Sequence, residues 1–167
     1  FDCPYCLGHE LANTPWGVVN VKVLGLRGAI AYTAWTRDIV LFTHGNTEIA
    51  PDVARDLERA RIRIETRTIT RFHGEGELTG VELEGGEIVP RRAVLYAPQG
   101  RPSDLALMMG LALGPDGFLR VDPSSRETSM KGVLAAGDLA GGGLKALTSA
   151  ADGMHAAHVL AHSLTME

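Results

Sequence analysis

Residues 16–45 read WGVVNVKVLGLRGAIAYTAWTRDIVLFTHG. Two apolar runs, WGVVNV and RDIVLFTHG, bracket the segment LGLRGAIAYTAW, whose apolar residues fall at helical spacing. Short apolar runs closed by Gly or polar residues read as buried strands, and strand, helix, strand in succession is the unit from which parallel sheets are built. Next, PDVARDLERARI (51–62) is an amphipathic helix opened by Pro51 and Asp52. IRIETRTITRFHG (62–74) and ELTGVELEGGEIVPRRAVLYAP (77–98) then alternate with period two, the latter turning at Gly85-Gly86. The order predicts an α/β fold, a parallel sheet covered by helices with a β-meander layer added.

The segment APQGRPSD (97–104) reads as a crossing linker. It divides the chain into residues 1–95 and 96–167. The second block opens with a short helix at SDLALMMGL (103–111), and a strand pair is expected around FLRVDP (118–123) and GVLAAGDLAGG (132–142). An Ala-rich helix, TSAADGMHAAHVLAHSL (148–164), closes it. At about 70 residues this block is too small to bury a substantial core alone, so it reads as completing a domain whose other part lies elsewhere.

The bulk numbers narrow the function. With 167 residues, 45% hydrophobic and 22% charged, the chain has the composition of a packed soluble protein. The net charge of −4 argues against nucleic acid, which wants a basic face. No membrane partner is expected, because the most apolar stretch is broken by Asn20, Lys22 and Arg27. No signal peptide is visible. The only two cysteines, Cys3 and Cys6, lie in FDCPYCLGHE (1–10), which reads as cytoplasmic redox chemistry rather than a secreted disulfide scaffold. The first residue is Phe, and the sequence reads as a fragment, a processed chain or the ordered part of something longer.

Three features carry chemistry. Two thiols two residues apart can close a small disulfide ring and exchange electrons; Pro4 favours a tight bend, and a helix starting there would lower one thiol's pKa. Two buried structural thiols, or a zinc site with His9 as third ligand, are the other readings of this pair, although no second C-x-x-C exists to complete four zinc ligands. The second feature is the turn after the first strand. A dinucleotide fold needs G-x-G-x-x-G there, so that backbone amides reach a pyrophosphate. The register here gives Asn20-Val21-Lys22-Val23-Leu24-Gly25, in which only the third glycine survives. Lys22 either meets a phosphate as a point charge or fills the space a cofactor needs; the second is the reading preferred, and loss of nucleotide binding is expected. LFTHGNTE, at the end of the second strand, lacks the Arg pair that holds a 2′-phosphate. The third feature is Gly137-Asp138 at an expected strand end before a glycine loop and a helix start. That Asp either binds a polyol, with the helix start facing an electron-rich ring, or merely caps the turn. His155, His158 and His162 share one helix face, and a solvated or capping role is expected for them.

Taken together, CPYCLGHEL (3–11), LFTHG (41–45), VLAAGDLAGG (133–142) and KALTSAADGMHAA (145–157) resemble the thioredoxin-reductase-like flavoproteins, in that family's order along nearly the whole chain. The resemblance implies that residues 1–95 are a degenerate NAD(P)-binding-like, Rossmann-like three-layer domain carrying the C-x-x-C. Residues 96–167 would be the C-terminal part of an FAD-binding domain. It implies FAD as cofactor, with NADPH doubtful. Cys6 would be the thiol nearest the flavin, and Cys3 would exchange with the substrate. Gly137 and Asp138 would lie on the ribityl or pyrophosphate side of FAD, and Lys145, Ala146, Leu147 and Thr148 would bring backbone and a helix start to the ring. A homodimer is also implied. Leu7 stands where the family usually has an acid or His that handles protons, and His9 is the nearby substitute. Within the family the sequence resembles a branch that oxidises small dithiols, passing electrons through FAD to oxygen. An NADPH-dependent disulfide reductase and a non-catalytic nucleotide-fold module are the alternatives.

Overall fold

A computed structural model describes residues 1, 3–20, 23–96, 102–141 and 145–166. The chain divides into two compact units, Phe1–Pro98 and Gln99–Glu167.

The first unit contains four parallel strands, β1 (Trp16–Val19), β2 (Ile39–Phe42), β3 (Arg63–Glu65) and β7 (Ala93–Tyr96), in the spatial order β3-β2-β1-β7. Three antiparallel strands, β4 (Ile69–His73), β5 (Gly80–Leu83) and β6 (Ile88–Pro90), form the meander. The sequence of β2 shows why this makes three layers. Side chains alternate across a strand, and all four residues of Ile39–Phe42 are buried. Ile39 and Leu41 face one cluster with Val18, Leu26, Ala29, Val53, Leu57 and Leu95. Val40 and Phe42 face another with Val81, Leu83 and Val89 of the meander. A strand buried on both faces reads as a continuous apolar run, which is what IVLF is.

Two helices cover the first face. α2 (Pro51–Arg59) has Pro at its start and Asp52 in its first turn, and it buries Val53 and Leu57. Arg27 holds it from outside, its guanidinium 2.6 Å from Asp52 and 2.9 Å from Asp56. The segment expected to be an ordinary helix is instead a 3-10 helix, Val23–Ala34. Its composition works against a regular α-helix: Gly25, Gly28 and the β-branched Ile30 and Thr33 all have low helix propensity.

In the second unit, α3 (Asp104–Met108) starts at Ser103, whose hydroxyl accepts the amide of Ala106. The expected strand pair is replaced by isolated bridges, Leu113 to Leu119 and Glu127 to Leu134. The cause lies in the residues between: Pro115, Gly117 and Pro123 interrupt the pairing, and Arg126 sits at φ 63°. The strand expected to end at Gly137-Asp138 is a short 3-10 turn, Gly137–Ala140. α4 (Ala146–Thr165) buries only Asp152 and Ala156, and its Leu147, Met154 and Leu164 are exposed. The core of this unit is small, built on Ala106, Leu111, Leu119 and Ala135.

No helix among the described residues is long and apolar enough to cross a membrane. The linker residues 97–101 and the glycine-loop residues 142–144 lie outside the described residues.

Candidate redox and cofactor sites

The C-x-x-C forms a single helical turn, α1 (Pro4–Leu7), in the first unit. Cys3 is its extended N-cap residue and Pro4 its first helical residue, where the missing N–H costs nothing. The Cys6 amide donates to the Cys3 carbonyl at 3.1 Å, and that of Gly8 to Pro4 at 2.7 Å. Cys3 is half-buried and Cys6 exposed. A helix of one turn carries only a fraction of a macrodipole, and thiol activation rests less on the helix than the sequence suggests. His9 is exposed in the turn that follows, where its carbonyl accepts the Ala12 amide. Among the described residues no three or more His, Cys, Asp or Glu are grouped as metal ligands.

What seats the turn is aromatic, and sequence reasoning missed it. Both tryptophans and two of the three tyrosines gather here. Trp16 is wholly buried, its indole N–H donating to the Leu11 carbonyl at 2.9 Å. Trp35 stacks on Trp16, with centroids 6.3 Å apart and planes 19° apart. Tyr5, between the cysteines, meets Trp35 edge-on at 5.3 Å and 86°. Gly8 fits under Trp35 so closely that a Cβ there would lie 2.6 Å from the indole nitrogen. The signal available in the sequence was the low aromatic content, 5%, with four of those rings between residues 5 and 35.

Ligands of this kind of open sheet bind beyond the carboxyl ends of the strands, where the order reverses, here between β1 and β7. A cavity of about 200 Å³ lies there, lined by Val19, His44, Ile69, Arg71, Phe72 and Tyr96 among others. That is below the ~300 Å³ at which pockets for whole organic ligands begin. The loop after β2, which would read a ribose, is closed on itself. The Thr43 hydroxyl donates to the Asn46 carbonyl, and the Gly45 amide donates to Thr66 at 2.8 Å. His44, at φ 50°, accepts the Ile69 amide on Nδ1 at 3.0 Å. Residues 43–46 carry neither the carboxylate that binds a ribose diol nor the guanidinium that binds a 2′-phosphate. Just beyond, Arg67 is committed to Glu65 at 2.7 Å and Glu87 at 2.8 Å, and it holds the Glu65 carboxyl down to about 2. Residues 43–46 thus offer a pyridine nucleotide no charged group, and the guanidinium that lines the cavity is that of Arg71. Lys22, expected to obstruct the nucleotide, lies outside the described residues.

In the second unit the residues expected around FAD are arranged as follows. Gly137 has φ 69°, a conformation that favours glycine, and its amide donates to Oδ2 of Asp152 at 2.7 Å. Asp152 is buried and lies 2.5 Å from the Arg126 guanidinium, so one carboxylate ties the turn to α4 and to residue 126. Sequence reasoning missed Asp152; its only signal was a lone acid in an Ala-rich helix. Asp138 is exposed, and its Oδ1 accepts the Ser149 hydroxyl at 3.1 Å. Lys145 is the N-cap of α4 without a side-chain cap, and Lys145, Ala146, Leu147 and Thr148 are all exposed. The start of this 20-residue helix, where Lys145 supplies no side-chain cap, carries the amide donors of a first turn and a positive partial charge. With Asp138 beside it to accept from hydroxyls, this donor set fits the ribityl chain and electron-rich ring of a flavin. Of the three helix histidines, His155 contacts the Ser124 carbonyl at 2.7 Å.

Comparison with known proteins bears on both units. A model of the family described as pyridine nucleotide-disulphide oxidoreductase matches residues 30–158. The chain belongs to this family. Among relatives in the pyridine nucleotide-disulphide oxidoreductase family, thioredoxin reductase tcpT of Claviceps purpurea is 31% identical over 145 residues, covering 81% of this chain and 45% of that protein. The solved structure of TrxB from Bacillus anthracis superposes with a TM-score of 0.83 at 28% identity, covering 99% of this chain and 56% of that one. That of HlmI gives 0.76 at 34% identity, covering 98% and 52%. The chain thus spans about half the length of the relatives it matches, and it is a thioredoxin reductase-like member of the family with the α/β fold expected for one.

Proposed function

We propose that the intact protein is an FAD-dependent thiol–disulfide oxidoreductase that oxidises a small-molecule dithiol to its intramolecular disulfide, with oxygen as acceptor. The observation that carries this reading is the pairing of a C-x-x-C turn with a β2 loop, Thr43–Asn46, that carries neither a carboxylate for a ribose diol nor a guanidinium for a 2′-phosphate. Electrons then enter from the thiol side.

In the proposed chemistry a substrate thiolate attacks Sγ of Cys3, the Cys3–Cys6 bond breaks, and Cys6 leaves as a thiolate. The second substrate thiolate attacks the substrate sulfur joined to Cys3, which closes the cyclic disulfide and releases Cys3. Two electrons now rest on the cysteine pair and two protons have left the substrate. His9, exposed in the turn that follows, would take one of them. FAD, when bound, would supply the two-electron acceptor through which the cysteine pair regains its disulfide, with oxygen as the final acceptor. Asp138 would hold it through hydroxyls, and the amides of Ala146, Leu147 and Thr148 would face its electron-rich ring.

The second reading is an NADPH-dependent reductase of the thioredoxin-reductase type, favoured by the name of the Claviceps purpurea relative. Anaerobic titration of the intact flavoprotein separates the two. Bleaching of the flavin by dithiol alone, with peroxide formed on admitting air, supports the oxidase. Rapid bleaching by NADPH overturns it.

A further inference from the structure

Tyr5 lies between the two cysteines of the proposed redox pair. Its side chain is 85% exposed, so it adds little to the core. Yet its ring is not loose, since its edge rests against Trp35 at 5.3 Å. Trp35 in turn is fixed from beneath by the stack on buried Trp16 and by the close fit over Gly8. The main-chain link is equally firm: the Asn13 amide donates to the Trp35 carbonyl at 2.9 Å. The result is a rigid aromatic shelf, braced by the core, whose outermost ring neighbours Cys6 in the chain. Rigid, exposed aromatic rings with few rotors are the side chains that binding surfaces use to anchor flat apolar groups, because little entropy is lost on contact.

We infer that Tyr5, held by Trp35, is a specificity-determining residue that selects dithiols carried on a planar ring. The inference rests on the dithiol-oxidising reading above and deepens it by naming the substrate class. The substrate ring lies against Tyr5 while its two thiols reach the cysteine pair. Acyclic dithiols exchange with the same sulfurs without that contact. The exchange is balanced within the two partners: the dithiol loses two electrons and two protons and becomes a cyclic disulfide, and the Cys3–Cys6 disulfide becomes two thiols.

The test uses the protein with Cys3 and Cys6 oxidised, without added acceptor, in single-turnover exchange followed by chromatography of the cyclic product. Two probes that both close six-membered cyclic disulfides are compared, 1,2-benzenedimethanethiol and dithiothreitol. Tyr5→Ala is expected to slow the aromatic probe about tenfold while dithiothreitol changes less than about twofold, and Tyr5→Phe is expected to behave as the unaltered protein. Equal slowing of both probes by Tyr5→Ala would make Tyr5 a structural support, and no slowing of either would make it a bystander; both results overturn the inference while leaving the dithiol reading intact. If the unaltered protein exchanges with neither probe, the dithiol reading itself fails and the inference falls with it.

Discussion

Replacing Gly8 by Ala tests the seating of the C-x-x-C turn. The new Cβ would lie 2.2 Å from the Pro4 carbonyl oxygen, 2.6 Å from the Trp35 indole nitrogen and 2.7 Å from its Cδ1. Ordinary contacts of this kind lie near 3.5 Å or beyond, so about 1 Å of movement is required. Two of those atoms belong to a ring already stacked on Trp16, and the third accepts the Gly8 amide that closes α1. Neither side yields without losing a contact. Forcing a methyl group into a packed site costs about 1–3 kcal/mol. Gly8 has φ −65°, so the cost is steric rather than conformational. Gly28→Ala is the internal control: a Cβ at residue 28 meets nothing within 4 Å, and replacing an exposed helical Gly by Ala stabilises by up to ~1 kcal/mol. The assays are urea unfolding and a redox titration of the cysteine pair against glutathione. Gly8→Ala should lower stability by about 1–3 kcal/mol, shift tryptophan emission, and change the disulfide–dithiol equilibrium by about tenfold. A Gly8→Ala protein with unchanged emission and unchanged titration would refute the idea that Trp35 seats the cysteines.

Three further outcomes are expected. The Glu65 carboxyl, held down to about 2 from an ordinary 4.5 chiefly by its hydrogen bonds from Arg67, contributes stability that is full above pH 4.5 and lost as pH falls toward 2. Because Arg67 is partly exposed, Glu65→Gln should cost on the order of 1–2 kcal/mol at pH 7 and only a small fraction of that near pH 2, read from urea midpoints at the two pH values. Asp152→Ala leaves the Gly137 amide and the Arg126 guanidinium without their shared carboxylate, and should lower stability by about 2–4 kcal/mol in the same measurement. Asp138→Ala should weaken flavin retention by the intact protein about tenfold, measured as flavin absorbance after gel filtration, while leaving dithiol exchange at the cysteines unchanged.

The parts of the fold legible in the sequence are those where burial and period agree. IVLF is apolar on both faces because both faces are covered, and PDVARDLERARI carries its own start signal and one apolar stripe. The 3-10 helix and the bridged stretch from residue 113 to 134 were less legible, because there glycine, proline and β-branched residues outweigh an apolar pattern that reads regular. The candidate site divides the same way. The cysteines and Asp138 announce themselves by spacing and by neighbouring glycines. Tyr5 and Trp35 do not, because they are 30 positions apart and meet only when the first turn folds back beside β1. Asp152 is silent for a similar reason: its partners, Gly137 and Arg126, lie 15 and 26 residues upstream.

The most direct test concerns the cysteine pair itself. The oxidised intact protein, stripped of flavin so that the cysteine pair has nowhere to pass its electrons, is mixed anaerobically with a limiting dithiol, quenched in acid, alkylated after denaturation and weighed by mass spectrometry. Cys3 and Cys6 should both gain an alkyl group, in proportion to the cyclic disulfide formed. Cyclic disulfide appearing while the two cysteines stay unlabelled would contradict the account.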